Sequence, residues 1–263
     1  MDKELLLKDL ELNFNIKIDD LKTLKEDNGL VLLINDKYVL KSLKDKEYDD
    51  VIMFEDYYKF VKGFRKSIYR SNEFKYVLYD YIEIDKLIDY TKIKIFNQIY
   101  DLVKEERKID NESYGYLDDL KSSWYEFLQA EVNYSKELLG NDNKNKLVDK
   151  ALKIVKKEKI EKYLLHGDLG VHNFLIKDKI INVIDPIGVI GDYLYDFYFA
   201  VLSDYSITEN LDFEFILSYF DRKEKYKKAL FAIVYYIRMA RAFKYNKADY
   251  ERFLKDFKYV SLK

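Results

Sequence analysis

The chain has no cysteine, one proline (Pro186) and only 8 glycines in 263 residues. Without thiols it cannot form disulfides, use a thiolate nucleophile or ligate a metal through sulfur. That usage fits a reducing compartment, and the cytoplasm is the expected location. So little proline and glycine argues against disorder and against a loop-rich β-sandwich. No apolar run approaches the roughly 18 residues of a membrane span, and the N-terminal residues lack the layout of a secretory signal, so no membrane partner is expected. The 46 basic residues stand against 48 acidic ones, a net charge of -2. The two signs interleave as on a solvated surface, with no basic footprint for nucleic acid. What is abundant is apolar and aromatic: 48% of residues are hydrophobic, with 26 Tyr and 17 Phe. This is enough for a real core and favours long helices.

Both histidines and the proline fall in residues 164–200. Two short apolar runs, 174–176 and 180–184, flank Lys177-Asp178-Lys179 and read as a tight hairpin. Asp168 and Asn173 precede the hairpin, and Asp185 follows it immediately. Folding the hairpin therefore returns Asp185 toward Asn173, so that three oxygen-bearing side chains converge. Kinase chemistry uses such a set: one Asp orients the acceptor hydroxyl, and an Asn and a second Asp offer the hard oxygens that Mg²⁺ prefers. A zinc site at His166 and His172 is the competing idea, but their spacing suits no ordinary helix face and no further His or Cys supports it.

The spacing His166-Gly167-Asp168 to Asn173, then Asp185-Pro186, Gly191-Asp192 and Tyr195-Asp196, resembles the aminoglycoside phosphotransferase and choline kinase family of small-molecule kinases. Gly167 replaces the arginine of protein kinases, and no A-P-E segment follows. The resemblance implies an α+β, bilobal, protein-kinase-like fold, with a small antiparallel-sheet lobe (residues 1–82) ending in a hinge and a larger, mainly helical lobe (83–263). It implies transfer of the γ-phosphate of ATP or GTP to a hydroxyl of a small molecule, an aminoglycoside-type or other hydroxylated amine, by a monomer. Asp168 would be catalytic, and Asn173 and Asp185 would hold Mg²⁺. A non-catalytic nucleotide-binding module of the same fold is the alternative, motivated by a glycine-poor phosphate loop.

That loop is expected at Asn28-Gly29, within a three-stranded meander over 21–24, 30–34 and 38–43. Alternation places Lys41 on one strand face with Val39 and Leu43, and the resemblance makes it the phosphate-binding lysine. Residues 46–62 read as a helix, with Glu55 on its inward side and the best partner for Lys41; Glu47 is the weaker competitor. Residues 73–83 read as a strand running into the nucleobase-binding hinge, placed by the resemblance at Tyr79, Asp80, Tyr81 and Ile82. Helices are expected over 91–107, 118–139, 144–158, from about 192 to 202, and over 210–220, 224–246 and 248–258. The acids Asp110, Glu112, Asp118 and Asp119 fall where the family builds its acceptor pocket, although a solvated helix start explains Asp118 and Asp119 equally well. Residues 201–263 carry 13 basic and 9 acidic residues, which does not suit a polycation. Asp192 is expected as a helix cap, Asp196 as a brace for the catalytic loop and His166 as a structural residue; His172 has no assigned role.

Overall fold

A computed structural model of the chain describes residues 3–26, 29–84, 92–105, 107–140, 143–203 and 213–262. The chain divides into two compact units, Met1–Lys86 with Leu175–Ile184, and Leu87–Phe174 with Asp185–Lys263. The first is built on an antiparallel sheet and the second is mainly helical, the expected α+β organisation.

In the first unit the strands are β1 (Leu21–Lys25), β2 (Val31–Ile34), β3 (Tyr38–Ser42), β4 (Tyr69–Ser71) and β5 (Tyr76–Asp80), ordered β1-β2-β3-β5-β4. The β2–β3 turn places Asn35 and Asp36 both at positive φ, the hairpin geometry these residues tolerate best. Side chains alternate across the sheet. Leu32, Ile34, Leu40, Tyr76 and Leu78 pack against Leu6 and Leu10 of helix α1 (Lys3–Asn13). Val77, on the opposite face, packs with Leu43 and with Tyr48 and Val51 of helix α2 (Asp45–Tyr57). The hairpin Phe174–Lys177 and Ile180–Val183 turns at Asp178 and Lys179, both at positive φ. It is bound to this unit by bonds from Val183 N to Gly63 O and from Arg65 N to Val183 O.

The second unit holds helix α3 (Lys92–Lys104) and a second antiparallel sheet of very short strands. Its strands are β6 (Arg107–Lys108), β7 (Tyr114–Tyr116), β8 (Asp119–Lys121) and β9 (Tyr163–Leu165), with β10 and β11 being the hairpin strands just described and β12 spanning Val189–Gly191; the order is β6-β9-β12-β7-β8. The helix expected from residue 118 therefore starts only at Trp124, as α4 (Trp124–Leu139), capped by the Ser123 hydroxyl. Helices α5 (Asn143–Val155), α6 (Leu194–Val201), α7 (Phe213–Leu217), α8 (Glu224–Tyr245) and α9 (Lys247–Asp256) follow. Helix α8 is apolar on nearly every side and packs against α4, α5, α6 and α9, as a helix without a polar face must. Among the described residues no helix is long and apolar enough to cross a membrane.

Candidate active site

The central loop starts and ends on neighbouring strands. Leu165, at the end of β9, lies opposite Val189 at the start of β12, and the His166 carbonyl accepts hydrogen bonds from both Ile187 N and Gly188 N. The start of the loop is held by Asp196, which is fully buried. Its carboxylate accepts from His166 N at 2.6 Å and from Gly167 N at 3.1 Å. Gly167 has φ +82°, and a Cβ there would lie 2.6 Å from Val189 Cγ2. A side chain here would be strained by the left-handed φ and would force the Val189 side chain to shift, which disfavours an arginine at this position.

Asp168 then emerges with defined neighbours. The Asn173 amide nitrogen donates to the Asp168 carbonyl at 2.9 Å and to Asp168 Oδ2 at 3.3 Å. His172 Nε2 lies 3.1 Å from Oδ2, and Arg241 Nη1 approaches Oδ1 at 3.9 Å. Burial pushes the Asp168 carboxyl up, but the His172 hydrogen bond and the charges of His172, Arg241 and His166 outweigh it and hold the group below its ordinary pKa. The carboxylate is thus kept ionised, as an acceptor for a hydroxyl proton must be. His166 is buried, and its Nδ1 accepts from Asp168 N at 3.3 Å. This histidine shapes the turn.

Both bonds of Asn173 to Asp168 use Nδ2, so its oxygen takes part in neither. Asp185 is exposed and has φ +59°, a left-handed conformation uncommon for a non-glycine residue. The following Pro186 disfavours a right-handed helical alternative. One amide oxygen and one exposed carboxylate suit Mg²⁺, which uses few protein ligands and fills its octahedron with water and phosphate oxygens. They do not suit a structural zinc, and among the described residues no group of three or more His, Cys, Asp or Glu is placed to hold a metal. Asp192 is fully buried and accepts from Leu194 N, Arg222 Nη2 and Tyr226 OH. The N-cap position of α6 is Tyr193, so the expected cap is corrected: Asp192, one residue earlier, accepts from the first amide of α6 and ties it to Arg222 and to Tyr226 of α8.

In the first unit, Lys41 lies on the α2 side of β3, opposite Val77 on β5. The pairing expected with Glu55 is corrected: Lys41 Nζ lies 3.8 Å from Glu47 Oε1. Glu55, 2% exposed, accepts instead from Tyr79 OH at 2.6 Å, Ser67 N at 3.0 Å and Arg70 Nη2 at 3.0 Å, and also from the Ser67 hydroxyl. Helix α2 begins only three residues after β3 ends, so its first turn lies beside Lys41, and eight residues of helix separate Glu47 from Glu55 by about 12 Å. Tyr79 and Asp80 end β5 in register with Val39 and Tyr38, and Tyr81 N donates to Lys37 O. Tyr81 is exposed and Ile82 partly so. Gly29 precedes β2 with φ +128°; Asn28 lies outside the described residues.

A cavity of about 320 Å³ opens beside Asp168, walled mainly by α8 and α9. Arg238, Arg241, Asp249 and Phe253 contribute to it. None of Asp110, Glu112, Asp118 or Asp119 does; the last two sit at the β7–β8 hairpin, where Asp119 pairs with Lys121. The cavity beside Asp168 is lined instead from the C-terminal helices. Sequence reasoning missed Arg238 and Arg241, yet a signal was there: two arginines at i, i+3 inside the apolar run of α8.

No protein-family model and no curated protein sequence matches the chain. Solved structures do. Choline kinase LicA from Streptococcus pneumoniae superposes with a TM-score of 0.65 at 15% identity, over 98% of this chain and 99% of that one. The aminoglycoside phosphotransferase APH(4)-Ia, in a ternary complex with ADP and hygromycin B, gives 0.63 at 16% identity, over 96% of both chains. APH(2")-IIa, with streptomycin and ATP, gives 0.61 at 17% identity, over 96% of this chain and 93% of that one. The chain has the kinase-like fold shared by aminoglycoside phosphotransferases and choline kinase.

Proposed function

We propose that the protein transfers the γ-phosphate of ATP or GTP to a hydroxyl of a small hydroxylated amine. The carrying observation is the placement of Asp168: an ionised carboxylate, tied by Asn173 and flanked by His172 and Arg241, facing a cavity large enough for a small molecule. In this reading the acceptor oxygen forms a bond to Pγ as the bond from Pγ to the β,γ-bridging oxygen breaks. The nucleoside diphosphate leaves with that electron pair, and the hydroxyl proton passes to Asp168. Asn173 and Asp185 would hold Mg²⁺, which supplies charge neutralisation for the phosphates when bound. Lys41, oriented by Glu47, is the proposed cation for the donor phosphates, and the backbone of residues 79–82 the proposed contact for the base.

The test is Asp168→Asn. Substrate-stimulated release of nucleoside diphosphate should fall at least about a hundredfold, the usual cost of one such electrostatic group, while the melting temperature stays close to that of the parent. Undiminished turnover in a folded variant would overturn the assignment.

A further inference from the structure

The charges around the cavity are not all matched to one another. Arg241 has partners: Glu131 Oε2 and Tyr116 OH, both at 3.3 Å from its Nη2, and Asp168 at 3.9 Å from Nη1. Arg238, one turn earlier on α8, has no carboxylate within 4.0 Å among the described residues. Its Nε and Nη2 donate to the carbonyls of Leu202 and Ser203 at the end of α6, and neither bond uses Nη1. Both guanidinium groups lie over the same ring, Phe199, at 4.6 and 5.0 Å, so two like charges stand side by side. Burial first, and then the charge of Arg241, bring Arg238 down to a pKa of about 10. A cation in such surroundings is costly until an anion joins it.

Asp249 is the complementary case. It accepts one hydrogen bond, from Asn246 Nδ2 at 2.6 Å to Oδ2, and has no ion pair among the described residues. Its charge is felt at Arg238 without the two forming a pair. The cavity thus offers a hydroxyl acceptor at Asp168, a cation at Arg238 and an anion at Asp249, within about 320 Å³. That volume is near the small end of ligand pockets.

Building on the phosphotransferase reading, we infer that the acceptor is a compact hydroxylated zwitterion, whose anionic group meets Arg238, whose ammonium meets Asp249 and whose hydroxyl meets Asp168. A ligand of this class matches both charges of the wall at once. A multiply charged cation would bring its charge against two arginines, and a simple amino alcohol would leave Arg238 uncompensated.

The experiment uses the full chain with Mg²⁺ and saturating ATP or GTP, following acceptor-dependent diphosphate release. The probes are serine, threonine and homoserine, each beside its decarboxylated amino alcohol and its deaminated hydroxy acid, together with kanamycin as a polycation. The expected result is a kcat/KM for at least one amino acid about thirtyfold or more above both of its stripped counterparts. Arg238→Gln should erase the preference over the amino alcohol, mainly through KM. Because Arg238 also holds the end of α6, Asp249→Asn supplies a second arm and should erase the preference over the hydroxy acid. Turnover of amino alcohols or kanamycin with inert zwitterions would overturn the inference and leave the phosphotransferase reading standing. So would a thermal shift with Mg²⁺-nucleotide but no turnover of any probe. Absence of both nucleotide binding and turnover would bring down the phosphotransferase reading, and the inference with it.

Discussion

One aspartate of the central loop and one of α6 differ in what they do for the fold, and substitution separates them. Asp185 holds φ +59°, a conformation that costs an L-residue about 1–2 kcal/mol relative to glycine. Asp185→Gly relieves this, while the greater freedom of the unfolded chain takes back about 0.4–1 kcal/mol. The two backbone effects largely offset, so denaturant unfolding of Asp185→Gly reads chiefly what the side chain itself holds in the fold, while nucleotide-dependent turnover should fall about a hundredfold or more. Undiminished turnover in that variant would argue against the metal-binding role. Asp196 acts on the fold. It accepts two buried amides, His166 N and Gly167 N, and Asp196→Ala leaves both without a partner. At about 1–3 kcal/mol for each orphaned group, the variant should lose about 3 kcal/mol and lower the melting temperature measurably. These roles were unequally legible. The spacing of Asp168, Asn173 and Asp185 could be read as a kinase-type set because the proposed chemistry constrains residue type at each position. The left-handed turn at Asp185 could not, since aspartate is compatible with many backbone conformations and the clamp of Ile187 and Gly188 onto the His166 carbonyl is a long-range contact.

Which turn of a helix lies beside which strand is a property of elements, and it explains the exchange of partners at Lys41. Alternation along β3 grouped Lys41 with Val39 and Leu43 on one strand face, which is the face toward α2, but periodicity on α2 identified an inward face without saying which turn of that face meets the lysine. Tyr48 and Val51 pack against Val77, which seats the first turns of α2 near Lys41 and carries Glu55 toward Ser67 and Arg70. Glu55→Ala should consequently act on stability: it removes the buried carboxylate that pairs with the half-buried Arg70 and accepts from Tyr79 OH. A loss of about 3 kcal/mol by urea unfolding is expected. Glu47→Gln removes a half-exposed pair at 3.8 Å and should change stability by less than about 1 kcal/mol. The short sheet of the second unit was missed for a related reason. Strands of two or three residues carry no period of their own, and 114–121, with its tyrosines and acids, becomes a hairpin only because Gly115 and Tyr116 find Ile190 and Val189 beside them.

For the molecule as a whole, the residues proposed for the donor, Lys41, Asn173 and Asp185, are joined in the sequence only by the resemblance of residues 164–200 to a kinase loop. The wall of the proposed acceptor cavity, by contrast, comes from α8 and α9, far along the chain, where arginines inside an apolar helix look like a packing anomaly until the cavity is seen. If the donor assignment is right, Mg²⁺-nucleotide must bind the native chain and not the unfolded one. At a hundred times its dissociation constant it then stabilises by about 2.7 kcal/mol. For a chain of this size that corresponds to a rise of roughly 5–10 °C in melting temperature. Chelation of the metal should remove most of the shift, and Asp185→Asn should remove it at the same nucleotide concentration, whereas Asp168→Asn should preserve it, because Asp168 addresses the acceptor. A shift of equal size in all three conditions would mean that nucleotide binds without the proposed metal ligands, and the roles of Asn173 and Asp185 would have to be given up.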